Sequence, residues 1–127
     1  MFNKVLAATD LLEACGGAVL TAIEIAKQNN GSLYILHVLE SDSTIYREFV
    51  KHFKTGKEIV NYKEYEKTVK EEIDKKCAGA LKNFGNYEIR VTIGFPWEEI
   101  LRWARKERVD LIVLGPHAGR DIKKDEG

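Results

Sequence analysis

The sequence predicts an α/β fold built on an open, doubly wound parallel sheet, and three observations carry that expectation. Val5-Leu6-Ala7-Ala8 and Leu111-Ile112-Val113-Leu114 are short apolar runs without alternation, as in strands buried on both faces of a parallel sheet. A strand, one helix and a second strand follow one another between residues 4 and 39, which is a right-handed βαβ unit. Strand and helix patterns then keep alternating up to residue 115, the order that places helices on both faces of one parallel sheet.

The first strand is expected at 4–9 and is followed by a helix over about 12–29. Cys15, Ala18, Val19, Ala22, Ile23 and Ala26 recur on that helix at three- and four-residue spacing. Asn29-Asn30-Gly31 stops it, because Asn and Gly accept the left-handed conformation of a helix end. The second strand is Ser32–Leu39, again almost wholly apolar. Residues 40–60 read as an irregular excursion with a short helix near Ile45, Tyr46, Phe49, Val50 and Phe53. A connection of that length often covers a site or an interface. From 60 to 84 one long surface helix is expected. Tyr62, Tyr65, Val69, Ile73, Cys77 and Leu81 form its apolar stripe, and Glu66/Lys70 and Glu71/Lys75 lie at i,i+4 on its wet face. Tyr87–Gly94 alternates and reads as an edge strand. Pro96 opens the next helix, with Glu98 and Glu99 in its first turn and Arg105, Lys106 and Arg108 near its end, in keeping with the helix dipole. The fourth strand is expected at 110–115.

Composition narrows the function classes. The 127 residues are expected to form one domain, 1–127. Lys+Arg and Asp+Glu are both 20, and that balance argues against nucleic acid or an anionic membrane as partner. No apolar run reaches the length of a membrane span, and Met1-Phe2-Asn3-Lys4 leads into a strand without a signal-peptide pattern. Cys15 and Cys77 form no Cys-x-x-Cys and read as two reduced thiols packed as small hydrophobes in a cytoplasmic protein.

Ligands of open α/β sheets sit at the carboxyl ends of the strands, and two segments there carry candidate chemistry. Asp10 closes the first strand. Its carboxylate either accepts hydrogen bonds from a ligand or caps the first helix, and the two roles are compatible. Gly115-Pro116-His117-Ala118-Gly119-Arg120 follows the fourth strand. Its glycines let the backbone approach a phosphate and Arg120 offers a guanidinium fork, while a Gly-Pro turn is also ordinary punctuation. His37 reads as a satisfied core histidine, and His37, His52 and His117 make no metal motif by spacing. Trp97 and Trp103 are expected to pack. No P-loop, Gly-x-Gly-x-x-Gly or Gly-x-Ser-x-Gly motif occurs, and no catalytic residue or metal ligand is assigned.

Four segments in register resemble the universal stress protein family. They are Lys4–Asp10, Leu33–Val38, Gly94–Ile100 and Asp110–His117. The resemblance implies a Rossmann-like sheet of the adenine nucleotide α-hydrolase-like type, with strand order 3-2-1-4-5 and ATP at the strand carboxyl ends. It places adenine-side contacts on Ala8, Thr9 and Asp10, and a second-strand contact on Val38. It also places a phosphate loop from Gly115 through His117 to Arg120. Ala118 stands at the loop's second glycine, or Gly119 fills it after a one-residue insertion. The family's later Gly-Ser/Thr, last helix and fifth strand are missing from the pattern up to Gly127, so the order expected here is 3-2-1-4 with the fourth strand at an exposed edge. Such an edge is expected to pair with a second copy, as a homodimer, or to be covered by residues 116–127. The function implied is a stress-response regulatory or sensing domain binding ATP or AMP, with Mg2+ accompanying ATP and at most weak hydrolysis. The alternative, favoured by Ala118 and the missing Gly-Ser/Thr, is a protein-interaction module of the same fold that binds no nucleotide.

Overall fold

The computed structural model describes residues 2–9, 15–40 and 62–115. Four strands form one parallel sheet: β1 (Lys4–Thr9), β2 (Ser32–Glu40), β3 (Tyr87–Gly94) and β4 (Leu111–Val113). Their order is β3-β2-β1-β4, as expected. The helices are α1 (Gly17–Gln28), α2 (Tyr62–Lys76), α3 (Ala78–Leu81) and α4 (Pro96–Lys106). The chain winds outward from β1 through β2 to β3 and then crosses back to β4 on the far side of β1. The winding direction therefore reverses between β1 and β4.

Alternation along the strands divides the core in two. Val5, Ala7, Leu33, Ile35, Ile89 and Val91 face α1, α2 and α3, whose Val19, Ala22, Ile23, Val69, Ile73 and Leu81 complete that layer. Leu6 and Leu36 face the other way and meet Ile100 of α4, with Trp103 and Ile112 around them. The long runs of β1 and β2 are apolar because both faces are covered.

Three details differ from the sequence reading. The first helix begins at Gly17, not near residue 12, because Gly16 is extended and serves as its N-cap without a side-chain cap. Asp10 and the capping role considered for it lie outside the described residues. The helix expected over 60–84 breaks at Cys77, which separates α2 from α3. The path stays helical through the break, since Cys77 donates to Ile73 and Leu81 donates to Cys77 at 2.8 and 2.9 Å. Trp97 is half exposed (51%), not packed. Six residues turn a helix by about 600°, so Trp97 and Trp103 cannot share a face. Trp103 does pack, with Arg90 and Lys106 at 5.1 and 5.0 Å from its ring. The 40–60 excursion, His52 and the 116–127 tail fall outside the described residues, apart from Glu40, which ends β2.

The amino edge of the sheet is tied by backbone. Asp110 Oδ2 accepts the amides of Asn3 and Lys4, both at 2.8 Å, and its own amide donates to the Lys4 carbonyl at 2.8 Å. The Lys4 ammonium donates to the carbonyl of Glu107. Gly31 passes so close to β1 that a Cβ there would sit 2.6 Å from the Phe2 carbonyl oxygen. Asn30, Asn83 and Arg108 take positive φ values of 52°, 64° and 55° where α1, α3 and α4 turn back toward strands. The closing bonds Gly31 to Ala26 and Val109 to Ala104 finish α1 and α4 in the same way.

Candidate functional site

The carboxyl ends of β1, β2 and β4 form one rim. Ala8 and Val38 are half-buried on the α4 side and belong with Leu114 to the same apolar cluster. Ala8 follows Ala7, which pairs with Val113, so Ala8 and Leu114 lie one step beyond the last ladder pair. Thr9 and Gly115 lie one step further, on either side of the point where the winding reverses. Gly115 packs on the start of α1, where a Cβ would stand 3.4 Å from the Cβ of Ala18. No described side chain caps α1, and its first turn holds no acidic residue.

On the other side of the sheet, His37 pairs in register with Thr9. Its Nδ1 lies 3.2 Å from the Thr9 carbonyl and its Nε2 lies 2.9 Å from the Tyr65 hydroxyl. A carbonyl only accepts, so Nδ1 carries the proton and Nε2 accepts from Tyr65. His37 is thus the satisfied core histidine expected, and it fastens the end of β1 to α2. Burial raises the pKa of Tyr65, in keeping with a hydroxyl that acts as donor.

The sequence reading gave Glu99 only a dipole role, yet its carboxylate folds back into the protein at the end of β3. Gly94 makes room for it, at φ 155°. A Cβ there would stand 2.9 Å from Glu99 Cγ. Thr92, in register with Val38, neighbours the same carboxylate. Burial opposes ionisation of Glu99, but the Arg102 guanidinium, bonded at 2.5 Å, and the Thr92 hydroxyl outweigh it and hold the pKa below the ordinary range. A glycine closing β3 two residues before a Pro-opened helix was the available signal.

Of the predicted site residues, the structure describes Ala8, Thr9, Val38 and Gly115, all at this rim. Asp10, His117, Ala118, Gly119 and Arg120 lie outside the described residues. Among the described residues no group of three His, Cys, Asp or Glu can hold a metal, and no helix is long and apolar enough to cross a membrane. A shallow hollow lined by Leu20, Thr21, Glu24, Lys27 and Ala80 lies on α1, away from the rim.

A parallel sheet covered by helices on both faces, with its winding reversed between β1 and β4, is a doubly wound α/β domain of the Rossmann-like class. The profile of the universal stress protein family matches residues 1–124, and the chain belongs to that family. Solved structures agree on the fold. UspA, a universal stress protein from Lactobacillus plantarum, is similar at 19% identity and a TM-score of 0.65, over 90% of this chain and 77% of that one. A protein of the same family from Burkholderia pseudomallei is similar at 19% identity and a TM-score of 0.62, over 94% and 86%. A universal stress protein in complex with cAMP is similar at 16% identity and a TM-score of 0.53, over 87% and 70%. No curated protein matches the chain.

Proposed function

We propose that this chain is a stress-response sensing domain that binds an adenine nucleotide, ATP or AMP, at the rim between β1 and β4. The observation that carries the reading is the half-open apolar floor of Ala8, Val38 and Leu114 beside the reversal point. A purine face gains by covering such a surface, and open α/β sheets bind ligands where their winding reverses. The start of α1, which no described side chain caps and which lies against Gly115, adds a positive dipole end that favours an anion. A related universal stress protein that holds cAMP supports the ligand class.

In this reading Ala8 and Val38 bed the base, while Thr9 and Asp10 reach the base or ribose. Gly115, His117, Ala118, Gly119 and Arg120 face the phosphates. A bound Mg2+ would neutralise ATP's phosphate charge. In this reading the domain reports the nucleotide's presence, with at most weak hydrolysis. It acts in the cytoplasm as a single domain, and the half-exposed β4 edge is where a second copy would join.

Thermal unfolding with ATP, AMP and cAMP, with and without magnesium, tests the proposal. Nucleotide at a hundredfold excess over Kd should stabilise the fold by about 2.7 kcal/mol. Asp10→Ala should weaken binding and leave the fold intact. No shift with any nucleotide at millimolar concentration refutes the reading and favours the interaction module that Ala118 supports. Adenine nucleotide released from the denatured purified protein counts against that module.

A further inference from the structure

We propose that a groove beside α4, over β1 and β4, takes an amphipathic helix of a partner protein, apolar on one face and acidic at the end that meets Arg105 and Arg108. The two faces of the sheet are covered unequally. One face carries α1 over β1 and β4, and α2 beside β3. The other carries α4 alone among the described residues, and α4 rests mainly on β2 and β3. Two neighbouring strands span about 10 Å across a sheet, which is the width of one helix. The strip of β1 and β4 left beside α4 is therefore helix-sized.

α4 turns a second apolar stripe toward that strip. Its Ile100 and Trp103 face the sheet. Glu99 and Lys106 lean toward β3, Glu99 against Gly94 and Lys106 over the Trp103 ring that Arg90 also covers. At about 100° per residue, Trp97, Leu101 and Ala104 fall on the opposite flank, at i, i+4 and i+7. Trp97 and Leu101 are 51% and 45% exposed, and Ala104 is half-buried. Val109 and Ile112 belong to the core layer under α4 and are half-buried too, so floor and wall are both apolar. A helix that is apolar on two faces is one that packs on two sides.

Charge selects the occupant. Arg105 and Arg108 are exposed where α4 ends. The acids beside them are already engaged, Asp110 by the amides of Asn3 and Lys4 and Glu107 by the Tyr34 hydroxyl. An acidic end on the incoming helix meets these two cations, and a basic one is repelled. Residues 116–127 hold Ile122 as their one large aliphatic side chain, too little to fill the groove. Among the described residues, a second copy has no spare apolar helix face except this same stripe, and two stripes set against each other leave the floor uncovered. A bilayer would meet a chain with 20 Lys+Arg against 20 Asp+Glu, which gains little from an anionic surface.

The test titrates the full chain into a fluorescein-labelled synthetic helix with leucines on one face and glutamates elsewhere. One control peptide has lysine for every glutamate, and a second keeps the composition but scatters the leucines around the helix. Fluorescence polarisation should show the acidic amphipathic peptide binding about tenfold more tightly than either control. Leu101→Ser, an exposed change whose folding circular dichroism checks, should weaken that binding about tenfold. Arg105→Glu combined with Arg108→Glu should turn the preference toward the lysine peptide. Equal binding of the scattered-leucine peptide, no binding at millimolar peptide, or an acidic preference that survives the double reversal overturns the proposal. So does self-association that Leu101→Ser abolishes, which makes a second copy the occupant. Sedimentation with phosphatidylserine vesicles that the same variant abolishes overturns it as well, in favour of a lipid surface.

Discussion

Removing the Asp110 carboxylate should loosen β4 selectively. Oδ2 accepts two backbone amides, those of Asn3 and Lys4, each at 2.8 Å. It does so where β1 and β4 have only three register pairs, Val5–Leu111, Leu6–Ile112 and Ala7–Val113. A hydrogen bond to a charged group contributes about 1.5–3 kcal/mol when sheltered. These two are exposed, and water can take the place of the carboxylate, so Asp110→Ala should cost about 1–2 kcal/mol for the pair together. Asp110→Asn keeps an acceptor oxygen in the same place and should lose about half of that, since a neutral acceptor is roughly half as strong. Urea unfolding measures the loss as a lower midpoint at unchanged slope. Amide exchange should quicken along Leu111–Val113 and hardly change in β2, which pairs with β1 and β3 along its length. A loss below about 0.5 kcal/mol, within the range of an ordinary surface change, would refute the claim that this clasp holds the edge. So would exchange that quickens equally in β2.

Ile73 is fully buried between α2 and the sheet, so Ile73→Ala should cost about 2–5 kcal/mol by chemical denaturation and Ile73→Val about 0.5–1.5 kcal/mol. Arg108 holds a left-handed conformation at φ 55°. Arg108→Gly should relieve it and raise stability by up to about 1 kcal/mol, with part of the gain offset by the freer unfolded chain. Glu99 has a folded pKa below its ordinary 4.5. Its contribution is therefore complete above that value and lost as pH falls through the folded one. The stability gap between the native sequence and Glu99→Gln should be level near neutrality and close only in acid; a gap that widens on acidification would reverse the sign.

Sequence pattern carried the fold further than the site. Unbroken apolar runs in β1 and β2 announced strands covered on both faces, and Pro96 with its ordered charges announced α4. The break at Cys77 was hidden because Tyr62, Tyr65, Val69, Ile73, Cys77 and Leu81 keep helical spacing straight through it. A periodicity reading sees which face is apolar and not whether the axis bends. The late start of α1 was hidden for a related reason, since Cys15 fits the helix stripe while Gly16 sets the cap. At the rim, Ala8, Thr9, Val38 and Gly115 were legible as ends of strands. Glu99 was not, because its setting depends on how β3 and α4 pack on each other, which spacing along the chain cannot encode.

The three left-handed residues Asn30, Asn83 and Arg108 share a position in the architecture, each returning a helix to the sheet's amino edge. The Asp110 clasp and the close pass of Gly31 lie at that edge too. Register is therefore secured from below, by peptide groups and short polar side chains, before the chain reaches the opposite edge. A ladder anchored at one end tolerates rewriting at the other. Loops beyond Thr9 and Gly115 can be exchanged or lengthened while every strand keeps its neighbour and its inward face. Such a chassis lets one sheet carry many recognition surfaces, and it makes the amino edge the place to strengthen before the far edge is redesigned.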